Sequence, residues 1–464
     1  MFGGDGRTYA CAMTSVETRP DGASVVRNDR AHVFHSWSAQ GLISPIPVAG
    51  GEGSWFWDYD GQRYLDFSSQ LVNLNIGHQH PRLIAAIQEA AGRLCTVAPS
   101  FANADRSEAA RLITELAPDD LDMVFFTNGG AEATENAIRM ARLHTARHKV
   151  LTMYRSYHGA TGAAITMTGD PRRWPSEPSA VGMVKFWGPY PYRSAFHSAD
   201  ETEESARSLQ HLSDVIMVEG AHTIAAIVLE TVVGTNGILV PPPGYLQGVR
   251  DLCDQHGIVM ICDEVMAGFG RCGEWFAVDH WNVAPDLICF AKGVNSGYVP
   301  LGGVVIRQAI ADTFKERPYP GGLTYSGHPL ACAAAVASIT IFKEEGILEH
   351  ARMLGTDVIG PALRELQERH PSVGDVRGLG VFWAIELVRN RETHEPLVPY
   401  NASGEAAAPM NEVVAACKAK GVWPFAHFNR IHVVPPCTIS VEDVRLGIAV
   451  IDEALELADR HTTG

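Results

Sequence analysis

Two charged residues end two apolar runs of this chain, and their pairing suggests chemistry. Lys292 follows the run Leu287–Ala291, and Asp263 follows Ile258–Cys262, 29 residues earlier. Neither run alternates with polar residues, so each reads as a strand buried on both faces. At the carboxyl end of such a strand, desolvation disfavours an ammonium and makes a nucleophilic amine available. Two plainer readings stand beside this one: a lysine whose head reaches water along a packed stem, and an Asp263–Lys292 salt bridge. An unpaired buried charge is too costly to keep, so each group needs a partner or a ligand. A cationic heterocycle would satisfy both, its ring nitrogen held by the carboxylate and its aldehyde bonded by the amine.

Other strand ends supply what such a ligand needs. Met123–Thr127 is followed by Asn128, Gly129 and Gly130, then by a helical pattern from Ala131 to His148. Glycines between strand and helix let the backbone approach an anion that the helix N-terminus attracts, although the same pair can serve only a tight turn. Lys149–Met153 leads to Tyr157 and His158, and Ile224–Leu229 leads to Glu230. Neither a Walker A loop nor a GxGxxG fingerprint follows any of these strands. A phosphate cradle, an aromatic to stack on, a carboxylate for a ring nitrogen and an amine for an aldehyde are the needs of pyridoxal phosphate. Here they fall at four strand ends.

The elements that position these residues alternate. Strand-like runs, with Val181–Phe186 among them, are separated by helical patterns such as Gly244–His256, which predicts an α/β fold with a mostly parallel, doubly wound sheet. A hairpin is expected around Asp60-Gly61 in GSWFWDYDGQRYLDF, and a helix opens at His80-Pro81. Near Phe342 the texture changes to amphipathic helices (347–369, 410–420 and 441–460) and the run VFWAIEL. The expected division is a flexible arm over 1–29, the N-terminal part of a small domain over 30–80, a large cofactor-binding domain over 81–342 and a C-terminal small domain over 343–464. The arm, rich in Gly, Ser, Thr and Asp, shows no periodicity.

Composition narrows the partners. The 464 residues are 46% hydrophobic and carry a formal charge of −16, which argues against nucleic acid and against anionic membrane surfaces. No apolar run is long enough to span a bilayer, and no basic-then-apolar leader opens the sequence. Nine scattered cysteines, several in apolar runs, form no CxxC pair or Cys/His cluster. They read as reduced thiols of a cytoplasmic protein without a metal site.

The motifs DEVMAGFGRCG, AKGVNSGYVPLGG, TNGGAEATENAIRMAR and TYSGHPLA resemble those of class III pyridoxal-phosphate aminotransferases, the ω-amino acid transaminases. The resemblance runs from about Gly53 to the C-terminal helix. TNGGAE, RSYHG and GDPRRWP look most like taurine–pyruvate and related ω-amino acid:pyruvate enzymes. It implies a fold-type-I transferase, a homodimer or dimer of dimers, moving an amino group from a taurine-, β-alanine- or 4-aminobutyrate-type donor to a small 2-oxo acid such as pyruvate by a ping-pong cycle. By the same resemblance, Lys292 would bond the cofactor and move a proton, and Asp263 would hold the pyridine nitrogen. Val265 and Tyr157 would flank the ring, and Gly130 and Ala131 would give backbone N–H groups to the phosphate. Thr324 would reach the phosphate bound in the other subunit. Glu230 is expected near the substrate side of the ring, His158 behind the cofactor, and Arg271 in a structural pair with a carboxylate.

Three departures bear on the substrate. Ala131 stands where many relatives have serine, and SSQLVNLNIGH offers Val72 or Asn73 where several carry tryptophan. Counting back from Pro435-Pro436, Phe425 falls where many relatives have a carboxylate-binding arginine, so Arg430 is the nearest replacement. A solvated or structural ion pair is its plainer reading. The aromatics Trp174, Phe186, Trp187, Tyr190 and Tyr192 suggest a loop walling the entrance. A lyase, decarboxylase or aminomutase of the same family is the alternative chemistry. A DNA-binding regulator would need a basic segment that is absent here.

Overall fold

A computed structural model describes residues 21–463. The chain divides into two compact units, 1–50 with 56–63 and 51–55 with 64–464. The first carries the helix Gly22–His32, opened by Asp21, whose carboxylate accepts from the N–H of Ser24. This helix replaces the irregular chain expected up to Asp29; residues 1–20 of that expected arm lie outside the described residues. Strands β1 (Val48–Glu52) and β2 (Trp55–Asp58) follow, and Gly61, at φ +83°, completes the turn foreseen after β2.

In the second unit, β3 (Arg63–Phe67) precedes the strands of a seven-stranded sheet. These are β4 (Met123–Thr127), β5 (Lys149–Met153), β6 (Met183–Phe186), β7 (Ile224–Glu230), β8 (Val259–Asp263), β9 (Leu287–Phe290) and β10 (Gly302–Ile306). Their spatial order is β4-β10-β9-β8-β7-β5-β6. From β9 to β6 every pairing is parallel, while β10 runs antiparallel to both β9 and β4. Every residue of β7, β8 and β9 is buried, as their unbroken apolar runs require. The reversal at β10 uses its two glycines. A Cβ on Gly302 would lie 2.8 Å from the Gly129 carbonyl carbon, and one on Gly303 would lie 2.5 Å from the Phe290 ring.

The remaining strands are β11 (Val373–Leu379), β12 (Phe382–Asn390), β13 (Glu395–Pro396), β14 (Val422–His427) and β15 (Arg430–Val433). They form with β3 the order β3-β14-β15-β12-β11, with β13 against β12. A separate apolar cluster beneath them joins Leu65 and Phe67 to Val444, Ile451 and Leu455 of the helix Val441–Asp459. The helical run expected over 347–369 forms, but it passes through a π-helical turn at Leu354–Ile359, where Gly355 packs against the backbone of Gly380. Among the described residues no helix is long and apolar enough to cross a membrane.

Candidate active site

The carboxyl ends of adjacent strands bring the predicted residues together. In parallel register Glu230 pairs with Asp263 and Asp263 with Cys289, three residues before Lys292. Lys292 itself sits at φ +47°, a conformation uncommon for a residue with a side chain and concentrated at functional sites. Among the described residues its amine makes no hydrogen bond or ion pair, so the simple Asp263–Lys292 bridge does not form. Burial pulls the amine down to about 8, against the opposing pull of Asp263 and Glu230.

Asp263, 4% exposed, is held instead by His158, whose Nδ1 donates to Oδ2 at 2.8 Å, and by the Val265 N–H at 3.0 Å to Oδ1. His158 is fixed in turn, its carbonyl accepting from Thr134 Oγ1 at 2.9 Å. Glu230 accepts the N–H groups of Tyr157 and Gly234, both at 2.8 Å, and therefore ties the loop after β5 to the loop after β7. Its burial raises the carboxyl to about 7, opposed by His158 and reinforced by Asp263.

The glycine turn has the form of a cradle. Gly129 caps the helix Gly130–Thr145 in an extended conformation, so the first helical N–H groups have no carbonyl to bond. A Cβ on Gly130 would stand 2.8 Å from both methyls of Val265, so this turn and the residue two beyond Asp263 are in contact. Glu132 folds back onto the Asn128 N–H at 2.8 Å. The ring of Tyr157 carries the guanidinium of Arg172, 3.7 Å above its centroid, and Arg172 is anchored on Asp170 through Nε at 2.9 Å. The residues present fit pyridoxal phosphate: an unpaired buried amine for its aldehyde, a positioned carboxylate for its ring nitrogen and a glycine turn for its phosphate.

On the substrate side the structure revises several expectations. Val72 is 1% exposed in an apolar cluster with Val232, Ile238, Phe382 and Val434, with Phe425 packed beside it. It therefore belongs to the core rather than roofing a pocket. Its segment is strained, with φ positive at Ser69, Gln70 and Val72. Asp66 holds it there, accepting from the Ser68 N–H and from Gln70 Nε2. Arg271 is fully buried but pairs with no carboxylate among the described residues. It donates to the carbonyls of Val381 and Pro435, to Ser69 Oγ and to Asn75 Oδ1, joining three segments of chain. Thr324 is exposed, on a loop tied to the end of β4 by Ser326 Oγ donating to the Phe126 carbonyl.

Of the expected aromatic wall, Phe186 and Tyr190 are core, whereas Trp174 and Trp187 line a cleft of about 270 Å³ with Tyr154, Arg155, Arg173 and Tyr400. Arg430 is 2% exposed and forms no salt bridge or hydrogen bond through its side chain among the described residues, contrary to the plain expectation for it. Arg155, Arg172, Arg377 and Glu386 escaped sequence reasoning. RSYHG and GDPRRWP contain the first two, but nothing local marks Arg377 and Glu386.

The comparisons agree with this geometry. The family model of class III aminotransferases matches residues 38–455. The taurine–pyruvate aminotransferase of Bilophila wadsworthia is 31% identical over 461 residues, 95% of this chain and 98% of its own length. The 5-aminovalerate aminotransferase DavT of Pseudomonas aeruginosa is 35% identical over 429 residues, 90% and 95% of the two chains. The crystal structure of taurine:2-oxoglutarate aminotransferase from Bifidobacterium kashiwanohense, in complex with pyridoxal phosphate and glutamate, superposes with a TM-score of 0.92 at 41% identity, covering 95% of this chain and 99% of that one. This chain belongs to the class III aminotransferases, pyridoxal-phosphate enzymes of fold type I.

Proposed function

We propose that the enzyme takes the amino group of an ω-amino donor of the taurine, β-alanine or 4-aminobutyrate type and passes it to a small 2-oxo acid such as pyruvate. The observation that carries this reading is the Lys292 amine, buried without a counter-ion among the described residues and lowered to about 8 at the end of β9. Relatives that act on taurine and 5-aminovalerate support the donor class.

Pyridoxal phosphate, when bound, supplies an aldehyde for the amino group and a ring that accepts the electron pair released at the substrate carbon. Lys292 Nζ, which burial makes easier to deprotonate, would remove the proton from the carbon bearing the amino group and later return one. Asp263, oriented by His158 and the Val265 N–H, stays an acceptor aimed at a protonated ring nitrogen. Val265 and Tyr157 would flank the ring, and the N–H groups of Gly130 and Ala131 would hold the phosphate at the helix N-terminus. Glu230 fixes the Tyr157 backbone beneath the substrate.

We assign 81–342 to a large cofactor-binding domain and 64–80 with 343–464 to a small one, whereas 30–50 and 56–63 of the expected N-terminal part fall in the other compact unit. The apolar cluster joining Leu65 to the C-terminal helix supports this assignment. A homodimer in which Thr324 serves the other subunit's phosphate fits its exposed loop. The eight described cysteines are unpaired and seven are buried, which supports a reducing, cytoplasmic setting.

The test is the donor half-reaction. The visible band of the lysine-bound cofactor should vanish when taurine, β-alanine, 4-aminobutyrate or a simple amine is added without acceptor. Full turnover by Lys292→Ala, or release of phosphate or carbon dioxide with no 2-oxo acid present, refutes the reading.

A further inference from the structure

The amine assigned to the cofactor stands on an unfavourable piece of backbone. Lys292 lies at φ +47°, and the turn it opens, Lys292–Asn295, passes on to Ser296 at φ +57° and Gly297 at φ +71°. A left-handed residue with a side chain costs free energy and persists only where its surroundings leave it no alternative. Local bonds close the turn on itself: the Val294 N–H donates to the Ala291 carbonyl at 3.2 Å, and the Gly297 N–H to the Lys292 carbonyl at 3.1 Å. On one side the turn meets the helix Pro329–Glu344, where Asn295 Nδ2 donates to the Ala331 carbonyl at 3.4 Å.

A second wall comes from much earlier in the chain. The segment Asn73–Ile76 meets the turn at three residues. A Cβ on Gly293 would overlap Asn75 Nδ2 and stand 3.1 Å from Phe269 Cβ, and a Cβ on Gly297 would overlap Asn73 Nδ2. Between them, the Ile76 N–H donates to Ser296 Oγ at 3.1 Å. Gly293 lies outside the left-handed region, so its neighbour, and not its backbone, excludes a side chain there.

Asn75 has no room to yield. It is 1% exposed, its Nδ2 donates to the Phe269 carbonyl at 2.7 Å, and its Oδ1 accepts from Arg271 Nη2 at 2.8 Å. A guanidinium only donates and a carbonyl only accepts, so the amide has one orientation. The backbone carbonyl of Asn75 accepts the Cys437 N–H at 2.7 Å. Arg271 is held in turn by the Val381 and Pro435 carbonyls, and the Phe269 ring meets that of Phe290, the last residue of β9, at 5.7 Å. The Asn75 side chain is therefore a fixed wedge between the GFGR segment and the residue after Lys292.

We propose that Asn75 is a positioning residue for Lys292: by blocking Gly293 it holds Lys292 in the left-handed conformation that aims the amine at the cofactor's aldehyde. The proposal rests on the aminotransferase reading, in which Lys292 bonds the cofactor. In that step the amine adds to the aldehyde carbon and one water leaves, so no further reactant is needed. Asn75 acts through the backbone at 292–293. Without the wedge, Gly293 moves into the vacated space and Lys292 relaxes, while Asp263 and the Gly129-Gly130 turn keep their own bonds.

The experiment titrates the full-length apoprotein with two ligands. Pyridoxal phosphate is followed by the visible band of its lysine-bound form. Pyridoxamine phosphate, which has an amine in place of the aldehyde and cannot bond Lys292, is followed by protein fluorescence. In Asn75→Ala the Kd for pyridoxal phosphate should rise about 10-fold, while that for pyridoxamine phosphate stays within about 2-fold of wild type. Gly293→Ala drives a methyl into Asn75 Nδ2 and should show the same selective rise, which decides the matter if Asn75→Ala does not fold. Asn75→Ala added to Gly293→Ala makes room for that methyl, so the double variant should bind pyridoxal phosphate more tightly than Gly293→Ala alone. A wild-type Kd for pyridoxal phosphate in either folded single variant overturns the proposal. An equal rise for both ligands also overturns it, since a merely structural loss weakens both alike. If wild type develops no lysine-bound band, the aminotransferase reading fails and the proposal with it; a wild-type band with unchanged variants refutes the proposal alone.

Discussion

Gly130→Ala tests whether the phosphate turn and the ring-facing residue form one unit. Gly130 lies outside the left-handed region, so alanine meets no backbone strain, and its effect is steric. The new methyl would stand 2.8 Å from both Val265 methyls, closer than carbon atoms tolerate. Relief requires either Val265 to shift on its short tether to Asp263 or the helix N-terminus to lift, and each movement acts on the cofactor. Overpacking of this kind costs about 1–3 kcal/mol. Carried in full into cofactor binding, that range corresponds to an about 5- to 150-fold rise in the Kd for pyridoxal phosphate. Titration of the apoprotein, followed by the visible band, measures it. Val265→Ala removes both clashing methyls, so the double variant should bind the cofactor better than the two single effects summed would allow. A wild-type Kd for Gly130→Ala, or strict additivity in the double variant, refutes the reasoning.

Cofactor uptake by the apoprotein should accelerate as pH rises through about 8 and level off above it, because Lys292 loses its proton there rather than near 10.5. Stopped-flow absorbance gives the profile, and a rate still climbing tenfold per pH unit above 9 would count against the buried amine. His158→Leu leaves Asp263 with the Val265 N–H as its remaining bond of the two, and should slow the donor half-reaction by about 10- to 100-fold. An unchanged rate in a variant with wild-type circular dichroism would remove His158 from the positioning of Asp263.

Much of the fold and the core of the site were legible because they are written locally. An apolar run of five residues ending in one charge marks both a buried strand and the group it delivers, as at Asp263 and Lys292. The Gly129-Gly130 turn announces itself in the same way, between a strand and a helix. The reversal of β10 was not legible, since its glycines acquire meaning only against Gly129 and Phe290. Val72 and Arg271 were misjudged for a related reason. Whether a residue faces a pocket or the core, and whether an arginine meets a carboxylate or four neutral acceptors, depends on segments far away in sequence.

The sequence by itself therefore determined the cofactor chemistry, since a strand end places its residue whatever surrounds it. Only the tertiary structure decided how the charges are shared. His158 reaches Asp263 across 105 residues, and Tyr190 and Arg193 from one loop and Arg377 from a distant strand converge on Glu386. Arg430, whose Cα lies opposite Glu386 across the strand pair, is left without a salt bridge among the described residues, because the nearer guanidinium groups of Arg193 and Arg377 reach that carboxylate from outside the pair.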